Sequence, residues 1–140
     1  MKRFKLRAWG YKKFFWVVIY DSIKQLRTEA SEYDKKTGYI SDHNDVLGEC
    51  VPYERKVITA KGKVTYRDNI GIIRLAKTHT FSHIVVHEVL HAAFWQYRLS
   101  LKSEKANFGK SCGPKEEKFN HIFTNLYIKM IRQMYKHKYW

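Results

Sequence analysis

The sequence predicts an α+β fold, and three observations carry that expectation. Phe4, Leu6 and Ala8 alternate with basic residues, and residues 14–20 form an aromatic and β-branched run, so the chain opens as two strands. Residues 84–94 are apolar and uncharged except for His87, Glu88 and His91, the pattern of a helix buried around a few obligatory polar groups. Phe119, Ile122, Phe123, Leu126 and Met130 then recur at helical spacing and give a long last helix.

Between these landmarks the chain reads in order. Gly10 separates the two opening strands. Ser22 with Gln25 resembles a capping box and opens a helix whose apolar stripe is Ile23, Leu26, Ala30 and Tyr33. Residues 36–45 are turn-rich and read as a loop. Strand signals return over residues 46–58, interrupted at Gly48 and Pro52, and Lys61-Gly62 marks a hairpin turn towards residues 64–66. Residues 70–76 make one more strand. Thr80 is placed to cap a helix from residue 81 to about residue 97, and residues 98–115 read as a long polar loop. The last helix starts near Lys115 and carries Lys129, Arg132, Lys136 and Lys138 at spacings that can line one solvent-facing stripe.

With 140 residues the chain has room for a single domain spanning residues 1–140. Its 44% hydrophobic and 16% aromatic content excludes a disordered chain. The 27 basic residues against 13 acidic ones give a formal charge of +14, which points to anionic surroundings or partners, nucleic acid first among them. Cys50 and Cys112 form no Cys-x-x-Cys pair and read as free thiols of a reducing, cytoplasmic compartment. The basic N-terminus followed by residues 14–20 reads as a strand, not a signal peptide, because the run is short and lacks a small-residue cleavage site. No stretch approaches the length of a membrane span.

The chemistry concentrates in His87-Glu88-Val89-Leu90-His91. On a helix, residues four apart share a face one turn apart, so His87 and His91 can hold one Zn²⁺ between them. Glu88 lies about 100° round the helix, too far to join them as a ligand but well placed to reach a water beside the metal. Burying two imidazoles and a carboxylate without partners is costly, and a metal removes much of that cost. A catalytic zinc takes three protein groups and a water, so one ligand is still to be found. The candidates are Glu116, Glu117, His83, His121 and Cys112. A glycine at 94 and a histidine at 97 would extend the motif to the metzincin form, but these positions hold Phe94 and Tyr97.

From these residues the chain resembles the gluzincin arrangement of minimal zincins, a group that includes small phage metallopeptidases and the ImmA/IrrE and SprT-like proteins. In that family a glutamate opening a later helix completes the zinc site and is followed by apolar residues at +2, +5, +6 and +9. Counting from Glu117 gives Phe119, Ile122, Phe123 and Leu126, whereas counting from Glu116 gives Lys118, His121, Ile122 and Asn125. The family's aspartate at +4 is His121 here. The resemblance implies a small, mostly antiparallel sheet packed against the His-Glu-x-x-His helix and a C-terminal, Glu-bearing helix. It implies zinc held by His87, His91 and Glu117, Glu88 as general base, and hydrolysis of a peptide or protein substrate. It also implies an edge strand before the motif helix, residues 70–76, that takes the substrate as an added strand. His79, His83, His121 and Tyr127 are the candidates for steadying an oxyanion. The alternative from another class is a basic nucleic-acid-binding module whose zinc site is structural or vestigial.

Overall fold

The two strands whose residues are apolar on both faces lie in the middle of the sheet, flanked by shorter or more polar ones. The computed structural model describes residues 1–8, 12–38, 45–101 and 114–140. In chain order the elements are β1 (Lys2–Arg7), β2 (Phe14–Tyr20), α1 (Ile23–Thr37), β3 (Gly48–Pro52), β4 (Lys56–Ile58), β5 (Val64–Tyr66), β6 (Asn69–Ala76), a single 3₁₀ turn (Lys77–His79), α2 (Ser82–Leu101) and α3 (Pro114–Lys136). The main sheet has the order β1-β2-β6-β3, and β4 pairs with β5 as a separate hairpin. β1 and β2 are antiparallel, β2 and β6 parallel, and β6 and β3 antiparallel. The expected α+β architecture with a mostly antiparallel sheet is therefore present.

Each sheet face buries a different set of side chains, as the two-residue period of a strand requires. Leu6, Phe15, Val17, Ile73 and Leu75 face α2 and α3, where Val85, Val89, Ala92, Leu126, Met130 and Met134 complete the larger core. Val18, Tyr20, Ile72 and Ala76 face the other way, towards Leu26 of α1. α1 starts as its sequence suggests: the Ser22 hydroxyl accepts from the Gln25 N–H at 3.2 Å, and the Gln25 side chain accepts from the Asp21 N–H at 3.1 Å. It runs to Thr37 and ends on Gly38 at φ 78°, where a glycine relieves the left-handed strain.

α2 and α3 pack side by side and run in opposite directions. Phe94 stacks on Phe119 with centroids 4.6 Å apart, joining the second half of α2 to the start of α3. At the other end the Trp140 indole N–H donates to the Thr80 carbonyl at 2.6 Å. Two local expectations are corrected. The Thr80 hydroxyl bonds back to the Lys77 carbonyl at 3.4 Å, and it is the Phe81 carbonyl that receives the first N–H groups of α2. α2 also continues through Leu101, so the start of the expected polar loop is helical. The rest of that loop lies outside the described residues, as does Cys112.

The basic stripe expected on α3 is only partly realised. The Lys129 ammonium donates to the Arg7 carbonyl at 3.0 Å and is tied to β1, and Lys138 lies past the helix end at φ 58°. Arg132 and Lys136 remain exposed. No helix among the described residues is long and apolar enough to cross a membrane.

Candidate metal centre

α2 is anchored by Val85, Val89, Ala92 and Ala93, all fully buried. That anchoring fixes the rotation of the helix and turns His87 and His91 outward, one turn apart, where both are exposed. Their Nε2 atoms approach to 3.0 Å, with the rings at 79° to each other. Two imidazoles bound tetrahedrally to one zinc at about 2.0–2.1 Å have nitrogens about 3.4 Å apart, so the observed pair needs to open by only a few tenths of an ångström. Burial and then the neighbouring His87 hold the His91 pKa below the ordinary histidine value, which favours the neutral ring that binds metals.

Glu88 turns in under the edge of the sheet, lining the same cavity as His87, and is 5% exposed. Its carboxyl is pushed up to about 7, first by burial and then by the charge of Glu49, while a hydrogen bond from the Cys50 backbone N–H acts in the opposite sense. β3 can lie this close because residue 48 has no side chain. A Cβ there would stand 3.1 Å from Glu88 Cγ and Oε1 and 3.0 Å from Ile84 Cγ2.

A groove runs between β3 and α2. On the His87 side lies a cavity of about 500 Å³ lined by Asp45, Val46, Leu47, Gly48, His83, Ile84, His87 and Glu88. On the His91 side a smaller one of about 180 Å³ is lined by Cys50, Pro52, His91, Phe94, Trp95 and Arg98. The His pair sits between the two. β3 pairs only with β6, so among the described residues its other edge is unpaired.

The remaining expected residues are dispersed. Glu117 and Glu116 are in the first turn of α3, and Glu117, 76% exposed in its side chain, lies 3.7 Å from His121. His83 is exposed and stacks on Phe81 at the mouth of the larger cavity. His79 contacts the Thr78 hydroxyl at 2.8 Å. Tyr127 stacks on Phe123 against the core. Among the described residues no three His, Cys, Asp or Glu side chains are gathered closely enough to hold a metal. The structure brings His87 and His91 together, with Glu88 buried on the adjoining face of α2, and among the described residues gathers neither Glu117 nor any other third ligand with them. No protein-family model, curated protein or solved structure matches the chain.

One expectation about the groove is overturned. The strand of residues 70–76 is not an edge: β6 pairs on both sides, with β2 and with β3. Its run of Ile70, Ile72, Ile73 and Leu75 fills both cores, and a strand apolar on both faces belongs in the middle of a sheet. The edge beside the motif is the short β3, whose Gly48 and Cys50 lie against Glu88, contacts that the sequence alone does not reveal. Gly48 was legible only as an interruption, because its role depends on a contact with Glu88, forty residues away.

Proposed function

We propose that this protein is a zinc-dependent peptidase of the His-Glu-x-x-His class, acting on a peptide or protein substrate laid along β3. The observation that carries the reading is the 3.0 Å convergence of the His87 and His91 Nε2 atoms beside a buried carboxylate. His87 and His91 would hold the zinc, with Glu117 as the proposed third ligand. Glu117 stands two residues before Phe119, whose ring packs on Phe94 less than one turn past His91, so α3 opens against the same part of α2. When bound, zinc supplies Lewis acidity, polarising the scissile carbonyl and acidifying a nearby water.

The protein's own groups do the rest. Glu88 takes the proton of the attacking water and returns it to the leaving amine, and its burial gives it the proton affinity that both transfers need. The unpaired edge of β3 supplies main-chain donors and acceptors for an extended substrate, and the two cavities receive side chains on either side of the cleaved bond. A purely structural zinc site has no use for a buried glutamate directly after its first histidine, which favours the enzyme over a vestigial site. A cytoplasmic setting accords with the free, half-buried thiol of Cys50.

Glu88→Gln tests the reading, because the amide keeps the shape and cannot accept the proton. The variant is expected to bind zinc and fold as wild type, and to lose hydrolysis of an unfolded protein substrate by about 10²–10⁴-fold. Equal rates in the two proteins would remove Glu88 from the mechanism.

A further inference from the structure

We infer that the β4–β5 hairpin and the adjoining uncovered part of the sheet form a binding surface for single-stranded nucleic acid. The inference does not depend on the peptidase reading. The hairpin packs mainly on itself, and its register places Ile58 opposite Val64 and Lys56 opposite Tyr66. Ile58 is 65% exposed and Tyr66 67%, so one face of the hairpin shows apolar and aromatic surface to solvent. A two-stranded hairpin is marginal by itself in water, and cross-strand pairs on a solvent-exposed face add only about 0.2–1 kcal/mol each to holding it. Its tip is Lys61-Gly62-Lys63, a turn closed by the Gly62 N–H on the Thr59 carbonyl at 2.9 Å, with both lysines exposed.

The base of the hairpin adjoins the sheet. The Phe14 N–H donates to the Asp68 carbonyl at 3.0 Å, which sets the base of the hairpin against the start of β2. α1 packs over β6 and the end of β2, leaving the β1 side of that face open. There and at the hairpin base, cations alternate with aromatic rings. Arg3 lies 3.8 Å from the Trp16 centroid, Lys5 4.3 Å from Phe14, Arg67 5.7 Å from Tyr53 and Arg55 5.8 Å from Tyr66. The acidic groups within this tract are Glu54 and Asp68, against Arg3, Lys5, Arg55, Lys56, Lys61, Lys63 and Arg67.

Charge complementarity selects the occupant. A chain of formal charge +14 attracts anionic partners, and a cationic tract interleaved with rings and guanidinium planes suits a backbone of phosphates whose bases are free to stack. A duplex keeps its bases stacked on each other and cannot use the rings.

The test is fluorescence anisotropy of a labelled oligonucleotide of about 16 nucleotides with the full chain, single-stranded and duplex, across about 50–300 mM salt. The single strand should bind at least about tenfold tighter than the duplex, with affinity falling steeply as salt rises. Lys61→Glu with Lys63→Glu, both exposed, should weaken binding about tenfold or more and reduce the log–log salt slope by about 2. Tyr66→Ala should lower affinity at least about fivefold without changing the slope, because stacking releases no counterions. Arg132→Glu with Lys136→Glu, an equal charge change on α3, should alter affinity less than about twofold. The inference is overturned by no binding at micromolar protein, by tighter binding of the duplex, or by equal losses from the hairpin and α3 pairs.

Discussion

Gly48 on the sheet edge and Glu88 on the motif helix meet through a missing side chain: a Cβ at residue 48 would lie 3.1 Å from the Glu88 Oε1 atom. The contact lets β3 approach α2 closely enough for the Cys50 N–H to reach the carboxylate. It also fixes the carboxylate relative to the His pair. Gly48→Ala should fold, with a stability loss of about 1–2 kcal/mol from overpacking. A displacement of a few tenths of an ångström at the general base should still lower kcat/KM by about tenfold. Urea unfolding and peptide hydrolysis measure the two effects, and an unchanged rate would show that Glu88 needs no such positioning.

On the opposite face of the sheet, Arg74 is 5% exposed and its guanidinium bonds Glu49 at 2.6 Å. The Tyr33 ring lies 5.2 Å from it. Glu49→Ala leaves a buried cation without its counter-charge and should cost about 3–5 kcal/mol. The double change Glu49→Leu with Arg74→Met removes both charges at similar volume and should recover most of that loss. Chemical denaturation of the single and double variants decides it, and additive losses would mean the pair is not coupled.

With metal removed by chelation, Glu88 should make stability depend on pH. Its folded pKa is raised from 4.5 to about 7, so between those values the folded state holds a proton that the unfolded state has released. Stability is therefore highest below about pH 4.5 and falls as pH rises to about 7, by up to about 3 kcal/mol, and stays lower above. Metal-free Glu88→Gln lacks this loss. Urea midpoints of the two proteins should converge at low pH and separate above neutrality, the variant being the more stable. Parallel pH profiles would contradict the burial of Glu88.

How far the sequence could be read follows from the range of each interaction. Ser22 with Gln25 was legible because a helix cap acts within three residues. The core stripe of α3 was legible because Ile122, Leu126 and Met130 follow the helical period. The His87–His91 pair needed only the geometry of one turn. Pairing order was not local information. The apolar run of β6 did carry the mark of a central strand, since both faces are hydrophobic, but the resemblance to zincins put an edge there instead. Pro52 and the shortness of β3 are edge features that become decisive only once its neighbour is known. The partnership of Arg74 with Glu49, like that of Gly48 with Glu88, joins residues far apart in the chain and left no periodic trace.

The most direct test of the account is the zinc stoichiometry of the purified full chain, by metal analysis joined to X-ray absorption spectroscopy. The account predicts one zinc per chain, with two imidazole nitrogens at about 2.0–2.1 Å. His87→Ala with His91→Ala should abolish binding, Glu117→Ala should weaken it by at least about tenfold, and Glu116→Ala should leave it unchanged. A wild-type chain that takes up no zinc, or a double histidine variant that keeps it, would contradict the account.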